Sequence, residues 1–248
     1  MTVSIVKSLA LAVGLGLAAS ATMAAEATHP DFTGLWTNGP RAPGAAPPVR
    51  GAAPSLPLLP KPKARREAFM NLVRESGASS SGSCLGTGMP GSMTGSGGYP
   101  MEIIQRPEQV TVLYEAHTEL RQFFLGDRQI KQADRVAGRN GYSGAHWEGD
   151  TLVVETDNLV EQLDETYPHS ENATIVERYH LNGTDAQGRR ILAADWVMTD
   201  PDFYSEPVKG TKTWLEVPNG HLLPYECNEE IWSAKLNELA KKAGVALP

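Results

Sequence analysis

Residues 173–201 read ATIVERYHLNGTDAQGRRILAADWVMTDP and have the pattern of two β-strands joined by a turn. Apolar and polar side chains alternate on either side of a polar run from Asn182 to Gly188, which is typical of a β-hairpin. Because successive side chains of a strand point to opposite faces, each strand has one face suited to a core. The stretch predicts an antiparallel sheet, and the rest of the chain extends it.

Further strand patterns flank this hairpin from Tyr99 onward. The segment MEIIQRPEQVTVLYEA predicts two strands with a turn at 106–109, and GYSGAHWEGDTLVVETDNL predicts a turn at 148–150. A last hairpin is expected in VKGTKTWLEVPNGHLLPYECNEE, with its turn at 218–220. No predicted helices separate these strands, which excludes a parallel βαβ sheet. We predict an all-β fold, an antiparallel barrel of about eight to ten strands, because closure removes exposed sheet edges.

Two helices are predicted outside the strands. The segments KARREAFMNLVRE (residues 63–75) and EIWSAKLNELAKKAGV (residues 230–245) both have apolar residues at helical spacing. The first helix lies within residues 38–98, an insert rich in proline and glycine. Residues 26–248 are expected to form one domain that carries this insert.

Residues 1–25 predict a secretory signal peptide. A single cation, Lys7, precedes an apolar run of small residues, and residues 19–25 contain possible cleavage positions. The run is shorter than the roughly 18 to 20 residues that span a bilayer. We expect a periplasmic or secreted protein with no stable membrane span after cleavage.

Charge and cysteine content narrow the possible partners. The net charge of −7 argues against nucleic-acid binding, which needs a basic face. The chain has two cysteines, Cys84 and Cys227, and an even pair in an oxidising compartment favours a disulfide. Two thiols are too few for a structural zinc site built on thiolates.

The segment GTGMPG, residues 86–91, matches the dinucleotide-binding pattern G-x-G-x-x-G. In nucleotide sites these glycines lie between a strand and a helix, so that helix amides reach the pyrophosphate. Here a serine-rich stretch precedes the pattern and a glycine-rich one follows it. We therefore expect no nucleotide or other organic cofactor. The run is predicted to cover the barrel mouth, either as a movable lid that carries Met89 or as a plain connector.

The segment DFTGLW, with Gly34 and Trp36, resembles the G-x-W first strand of lipocalin and calycin barrels. The chain also resembles a large family of exported bacterial proteins in the segments CLGTGMPG, YPMEIIQRPEQVTVLYE, HWEGDTLVVET, PHSENATIVERY, DPDFYSEPV and YECNEE. The resemblance covers most of residues 31–230. It implies an exported, lipocalin-like barrel and supplies no activity.

Glu177 is the first candidate for chemistry. Alternation places it on one face with Ile175 and Tyr179, the face expected to point inward. A carboxylate inside a barrel must be paired or hydrogen-bonded. Three interpretations remain open: Glu177 is a general acid or base, it forms a structural salt bridge with an arginine such as Arg121, or it points outward.

Three further side chains are acid/base candidates. Asp195 alternates with apolar residues on the next strand and is expected to face inward beside Glu177. His169 lies two residues before Glu171, and such a pair orients an imidazole for proton transfer. Tyr204 is expected at the barrel rim, as a proton donor or a loop anchor. No metal site is predicted, because scattered His-x-Glu spacings are common by chance.

The remaining candidate residues are expected to contact a bound small molecule. They are Trp36, Met89, Tyr114, His146, Tyr179 and Trp214. For His146, a hydrogen bond to a turn is the open alternative.

These residues support three hypotheses. The first is a cofactor-independent enzyme that eliminates, hydrates or isomerises a small, partly apolar molecule inside the barrel by acid/base chemistry. The second is a non-catalytic, lipocalin-like binding protein for a hydrophobic small molecule. The third is a structural protein with a filled core. Convergence of Glu177, Asp195 and His169 on one cavity favours the enzyme.

Overall fold

The computed structural model describes residues 29–40, 55–75, 86–95, 98–163, 166–226 and 229–247. The predicted signal peptide (residues 1–25) and both cysteines of the expected disulfide, Cys84 and Cys227, lie outside the described residues.

Nine strands within the described ranges form one closed barrel in chain order. They are β1 (Gly34–Asn38), β2 (Met101–Arg106), β3 (Gln109–Tyr114), β4 (Glu119–Leu125), β5 (Tyr142–Glu148), β6 (Thr151–Asp157), β7 (Thr174–Thr184), β8 (Arg190–Thr199) and β9 (Val208–Glu216). The hairpin predicted in residues 173–201 is confirmed as β7 and β8. Pairing of β9 with β1 closes the barrel.

The barrel is mixed rather than wholly antiparallel, so that part of the prediction is wrong. Strands β4 and β5 pair in parallel, with Phe123 opposite Ser143, while the other neighbouring strands in the described ranges pair antiparallel. A parallel pair needs a connection of a dozen or more residues to bring the chain back. Residues 126–141 provide this return, with short 3₁₀ turns at Gly126–Arg128 and Gln132–Asp134.

The expected last hairpin is also wrong. A turn does form at residues 218–220, but residues 221–226 after it are not a strand. The first half of that segment is β9, and its second partner is β1, with Trp214 opposite Asn38. The N-terminal strand therefore takes the place that the sequence assigned to a local hairpin.

Both predicted helices are confirmed. Helix α1 (Pro60–Glu75) buries Phe69, Leu72 and Val73 in the core. A one-turn helix, α2 (Gly91–Thr94), follows it. Helix α3 (Glu229–Ala243) contacts α1 and buries Leu236. Among the helices of the described ranges, none combines the length and apolar content that crossing a bilayer requires.

The two ends of the barrel are closed differently. At one end the segment 29–33 lies across the strands, where the His29 ring stacks on Trp147 at 4.4 Å and the Trp36 indole donates to the Phe32 carbonyl at 2.9 Å. At the other end, where β1 ends and β4 and β7 begin, residues 86–95 bond to side chains of the strands and loops. We call this second end the covered end.

Candidate functional site

A fully buried ion pair spans the barrel interior. Glu177 lies inside on β7, as alternation predicts, and Arg121 on β4 faces it. Arg121 donates from Nη1 to Glu177 Oε1 at 3.0 Å and from Nη2 to Oε2 at 2.6 Å, and both side chains are 0% exposed. Such a two-pronged pair is the strong form of carboxylate recognition. The salt bridge that the sequence left open is therefore present.

Hydroxyl groups surround this Arg121–Glu177 pair. Tyr179 donates its hydroxyl proton to Glu177 at 2.8 Å. Arg121 Nη2 also approaches the hydroxyls of Ser143 at 3.3 Å and Thr156 at 3.2 Å. Burial opposes the charge of Arg121, but the facing Glu177 and the buried tyrosines outweigh it and hold the pKa of Arg121 well above its ordinary value. The guanidinium is thus permanently charged and compensated.

Two polar atoms at this pair have no hydrogen-bond partner among the described residues. They are the Tyr114 hydroxyl on β3 and Arg121 Nε, and both side chains are buried. Burial raises the pKa of Tyr114 to about 12, although the positive charge of Arg121 opposes that rise. Arg121 is close enough to Tyr114 to oppose this rise in pKa, but the approach of the two side chains does not have the geometry of a hydrogen bond. Buried donors without partners are rare, because each one costs stability.

Aromatic rings form the wall beside the ion pair. The Tyr179 ring lies 5.6 Å from Phe123 and 6.1 Å from Trp214, measured between centroids. Trp36 and Trp214, which the sequence proposed as ligand contacts, are both buried in the core of the barrel. An apolar wall with a few placed polar groups is the usual composition of a small-molecule site.

The glycine-rich pattern holds a carboxylate of the protein itself. Glu119, at the start of β4, accepts hydrogen bonds from the Gly88 amide at 2.8 Å, the Thr87 hydroxyl at 2.8 Å and the Ser92 hydroxyl at 3.0 Å. Asn140 adds a fourth donor at 3.3 Å. Donors that cradle a phosphate in nucleotide sites here satisfy an internal anion.

Glycine is required twice in this loop. A Cβ on Gly86 would lie 2.6 Å from Glu119 Oε1. Gly88 has φ +69°, and a Cβ there would lie 2.5 Å from the Gln162 amide nitrogen. The first glycine makes room for the carboxylate, and the second supplies a backbone conformation that other residues rarely adopt.

Apolar side chains of the same segment fill the covered end. Met89 and Met93 are 0% exposed and belong to the same core cluster as the barrel residues. The segment also accepts a hydrogen bond at the Gly86 carbonyl from Arg139 at 2.6 Å. It therefore lies over the barrel mouth, as expected for either a lid or a connector.

His169 ties this segment to the loop before β7. Its Nε2 lies 2.9 Å from the Met89 carbonyl and 3.1 Å from Gln162 Nε2, and its Nδ1 lies 3.0 Å from the Ser170 carbonyl. Burial lowers the pKa of His169, although both carbonyls favour the charged ring. The ring is thus engaged on both sides and holds two chain segments together.

Tyr204 and Asp200 fix the neighbouring loop. The Tyr204 hydroxyl donates to the Pro168 carbonyl at 2.6 Å, and burial raises the pKa of Tyr204. Asp200 accepts from the Ser170 amide at 2.7 Å and the Ser170 hydroxyl at 2.9 Å. With its proton committed to a carbonyl, Tyr204 has the geometry of a loop anchor.

A surface cleft of about 820 Å³ lies beside the covered end. Arg65 of α1 and Asp202 are among the side chains that line it. Arg65 forms a two-pronged pair with Glu161 at 2.7 and 2.5 Å, and Asp202 accepts from Asn172 at 2.7 Å. These groups are satisfied within the cleft wall, so the interior of the covered end is the stronger candidate site.

Two candidate residues lie outside the barrel, which corrects their predicted placement. Asp195 is exposed on the outer face of β8, where it accepts a hydrogen bond from Thr211. It lies opposite Arg178, the outward neighbour of Glu177. His146 is exposed on β5 and lies 3.3 Å from Glu148, so it does not contact an interior ligand. Glu177, Asp195 and His169 therefore do not converge on one cavity.

Sequence reasoning missed Glu119 and Lys212. The signal for Glu119 was present, because Glu119, Arg121, Phe123 and Leu125 alternate along β4 and all are buried. Lys212 lies two residues before Trp214 on β9, so it shares the inward face of that strand. Among the described residues, no three His, Cys, Asp or Glu side chains come together as metal ligands.

Comparisons of the chain with protein-family models, with curated proteins and with solved structures find no match. The closed nine-strand barrel of the described residues is compatible with a lipocalin-like fold.

Proposed function

We propose that the protein binds a small, neutral, largely apolar molecule inside the covered end of the barrel. The observation that carries the proposal is a pair of buried polar atoms with no hydrogen-bond partner in the part of the chain that the structure describes, the Tyr114 hydroxyl and Arg121 Nε. A carbonyl or hydroxyl oxygen of a ligand would accept hydrogen bonds from both. Leaving two such atoms buried costs about 1–3 kcal/mol each, so a ligand that satisfies them gains affinity.

The charge of the site favours a neutral ligand. Arg121 is already compensated by Glu177, so the buried pair carries no net charge. A carboxylate ligand at these two atoms would bring a second negative charge beside Glu177, whose counter-charge on Arg121 is already paired, and this is unfavourable. A ketone, an aldehyde or an alcohol brings an oxygen without that charge.

The aromatic wall supports an apolar ligand body. The Tyr179 ring packs with the rings of Phe123 and Trp214, and the Arg121 guanidinium carbon lies 4.8 Å from the Phe123 ring centroid. Aromatic contacts of this kind contribute about 0.5–1.5 kcal/mol beyond the burial of area. A planar or ring-containing ligand suits this wall best.

Access to the site would require movement of residues 86–95. The segment is held by polar contacts to Glu119, Arg139 and His169, and its methionines fill the mouth. Methionine is flexible and adapts to irregular surfaces, so the two side chains can repack against a ligand. The segment then acts as the lid that the sequence suggested.

Binding of three related probes tests this proposal. Acetophenone, benzyl alcohol and benzoate share a ring and differ in the polar group, and their affinities are measured by calorimetry. We expect acetophenone or benzyl alcohol to bind and benzoate to bind at least tenfold more weakly. Tyr114→Phe should weaken the neutral probes by about tenfold, the value of one hydrogen bond.

Tyr142→Phe is the matched control. Tyr142 lies on the outer face of β5, where its ring stacks on Phe124 and its hydroxyl accepts a hydrogen bond from the Ile130 amide. This variant should bind like the wild type. Equal binding by wild type and Tyr114→Phe, or tighter binding of benzoate, would contradict the proposal.

Acid/base catalysis on the bound molecule is the second candidate function. One contact favours it, the hydrogen bond from Tyr179 to Glu177, which places a proton donor and a carboxylate inside the barrel. Elimination, hydration or isomerisation needs only such a pair. Loss of a compound from a metabolite mixture in the presence of the wild-type protein, but not of Tyr179→Phe, would support catalysis. Binding of a compound without its turnover would support a non-catalytic binding protein.

A further inference from the structure

Lys212 is an interior-facing amine that forms no ion pair with a carboxylate of the described ranges. It lies on β9 opposite Ala194 of β8, and Trp214, two residues on, lies opposite Leu192. Ala194, Leu192 and Trp214 are buried core residues, so Lys212 shares their inward direction. The Lys212 side chain is itself half-buried.

The surroundings of Lys212 do not compensate a positive charge. Its Nζ donates to Asn38 Oδ1 at 2.5 Å and lies 6.0 Å from the Trp214 ring centroid. Among the described residues, no carboxylate lies within ion-pair distance of Lys212, in contrast to Arg121 with Glu177. Burial lowers the pKa of Lys212. Desolvation in a hydrophobic pocket is one way in which proteins activate a lysine amine.

Strand register connects this amine with the candidate site. Tyr179 lies opposite Ala194, and Ala194 lies opposite Lys212, so the three residues form one row across β7, β8 and β9. Neighbouring strands lie about 4.8 Å apart, which separates the outer two backbones by roughly 10 Å. The smallest side chain of the row lies between the amine and the tyrosine that bonds to Glu177.

We infer that Lys212 is a nucleophilic amine that forms an imine with an aldehyde or ketone bound in the covered end. This inference deepens the proposed function and rests on the same end of the barrel. A carbonyl is the chemistry that both features share, because its oxygen suits the donors at Tyr114 and its carbon is open to an amine.

Imine formation between the Lys212 amine and the carbonyl needs no further reactant. The Nζ lone pair adds to the carbonyl carbon, a C–N bond forms, and the carbonyl π electrons move to oxygen. One proton leaves nitrogen, and oxygen takes up a proton to give a carbinolamine. The carbinolamine hydroxyl then leaves as water together with the second nitrogen proton, and the nitrogen lone pair forms the C=N bond, so the amine and the carbonyl give an imine and water.

Reductive trapping tests the inference. The full-length protein is incubated at neutral pH with benzaldehyde and sodium cyanoborohydride, which reduces the imine to a stable secondary amine. Peptide mass spectrometry then measures the label on each lysine. We expect Lys212 to carry several-fold more label than Lys209, an exposed lysine on the same strand that faces outward.

Matched variants complete the test. Lys212→Arg should remove the dominant label and Lys209→Arg should not, with tryptophan fluorescence confirming that both variants are folded. Label spread evenly over the exposed lysines of the wild type, or unchanged by Lys212→Arg, overturns the inference. Strong labelling of Lys212 together with normal acetophenone binding by Tyr114→Phe would instead refute the proposed function and still support imine formation at Lys212.

Discussion

Replacement of Glu177 by leucine tests how the interior is stabilised. The change leaves the Arg121 guanidinium buried without a counter-charge, since both side chains of the pair are 0% exposed. Breaking such a pair costs about 3–5 kcal/mol. The Tyr179 hydroxyl also loses its acceptor, which adds about 1 kcal/mol. We expect a total loss of about 4–6 kcal/mol in the free energy of unfolding, comparable to the whole stability of a marginal domain.

Urea unfolding followed by tryptophan fluorescence measures this loss. The double variant Arg121→Met/Glu177→Leu removes both charges and should recover at least about 3 kcal/mol, because a hydrophobic replacement of a buried pair is often neutral or stabilising. Glu148→Gln is the control, since it breaks the exposed pair between Glu148 and Arg178 and should leave the unfolding midpoint unchanged. A loss below about 1 kcal/mol in Glu177→Leu, or no recovery in the double variant, would refute this reasoning.

Four further predictions follow from other parts of the chain. Cys84 and Cys227 should be joined in protein produced in an oxidising compartment, and thiol labelling of the denatured, unreduced protein should find no free thiol; the closed loop predicts a stabilisation of up to about 5 kcal/mol. Gly86→Ala should cost about 1–3 kcal/mol, because its Cβ would lie 2.6 Å from Glu119, whereas Gly138→Ala, with nothing within 4 Å of its Cβ, should be tolerated in thermal unfolding. The lowered pKa of His169 means that its neutral form contributes stability above the unfolded pKa of about 6.5, and this contribution is lost as the pH falls through the folded value. His169→Gln should therefore make the free energy of unfolding fall less steeply as the pH is lowered. Urea unfolding at a series of pH values measures this dependence, and the same pH dependence in the variant and the wild type would refute the prediction. Tyr114→Phe should raise the free energy of unfolding by about 1 kcal/mol, because it removes a buried hydroxyl that has no partner among the described residues; a loss in the same assay would show that the hydroxyl is satisfied.

A β-bulge between β7 and β8 explains why the sequence assigned the wrong face of β8 to the barrel interior. Alternation placed Glu177 correctly, because Ile175 and Tyr179 share its face, whereas the other face of β7 is mostly polar, with Thr174, Arg178 and His180 beside Val176. On β8 both faces carry apolar residues, so alternation alone does not show which face points inward. The inward face depends on how the turn sets the register of β8 against β7. The register shifts by one residue between Leu181 and Thr184, and a one-residue slip turns every side chain of a strand to the other face. Asp195 therefore lies outside, opposite Arg178.

Long-range pairing explains the other differences. The sequence identified the short turns of β2–β3 and β5–β6, because those turns involve neighbouring residues. The parallel β4–β5 pair and the closure of β9 on β1 depend on contacts between distant segments, which local patterns do not encode. The same holds for the glycine-rich run, whose conformation depends on Glu119, about thirty residues away.

The distribution of polar groups inside the barrel gives the covered end its significance. At the opposite end Phe32 and Trp36 are buried, and the Trp36 indole proton is satisfied. At the covered end the chain keeps Tyr114 where phenylalanine would fill nearly the same volume, and Lys212 where methionine would. Tyr114 costs stability because its buried hydroxyl has no partner among the described residues, and Lys212 costs stability because its partly desolvated amine bonds to a neutral amide instead of a carboxylate. Proteins depart from well-satisfied interiors chiefly at functional sites, so these two side chains mark the covered end as the place where a ligand contributes the missing contacts.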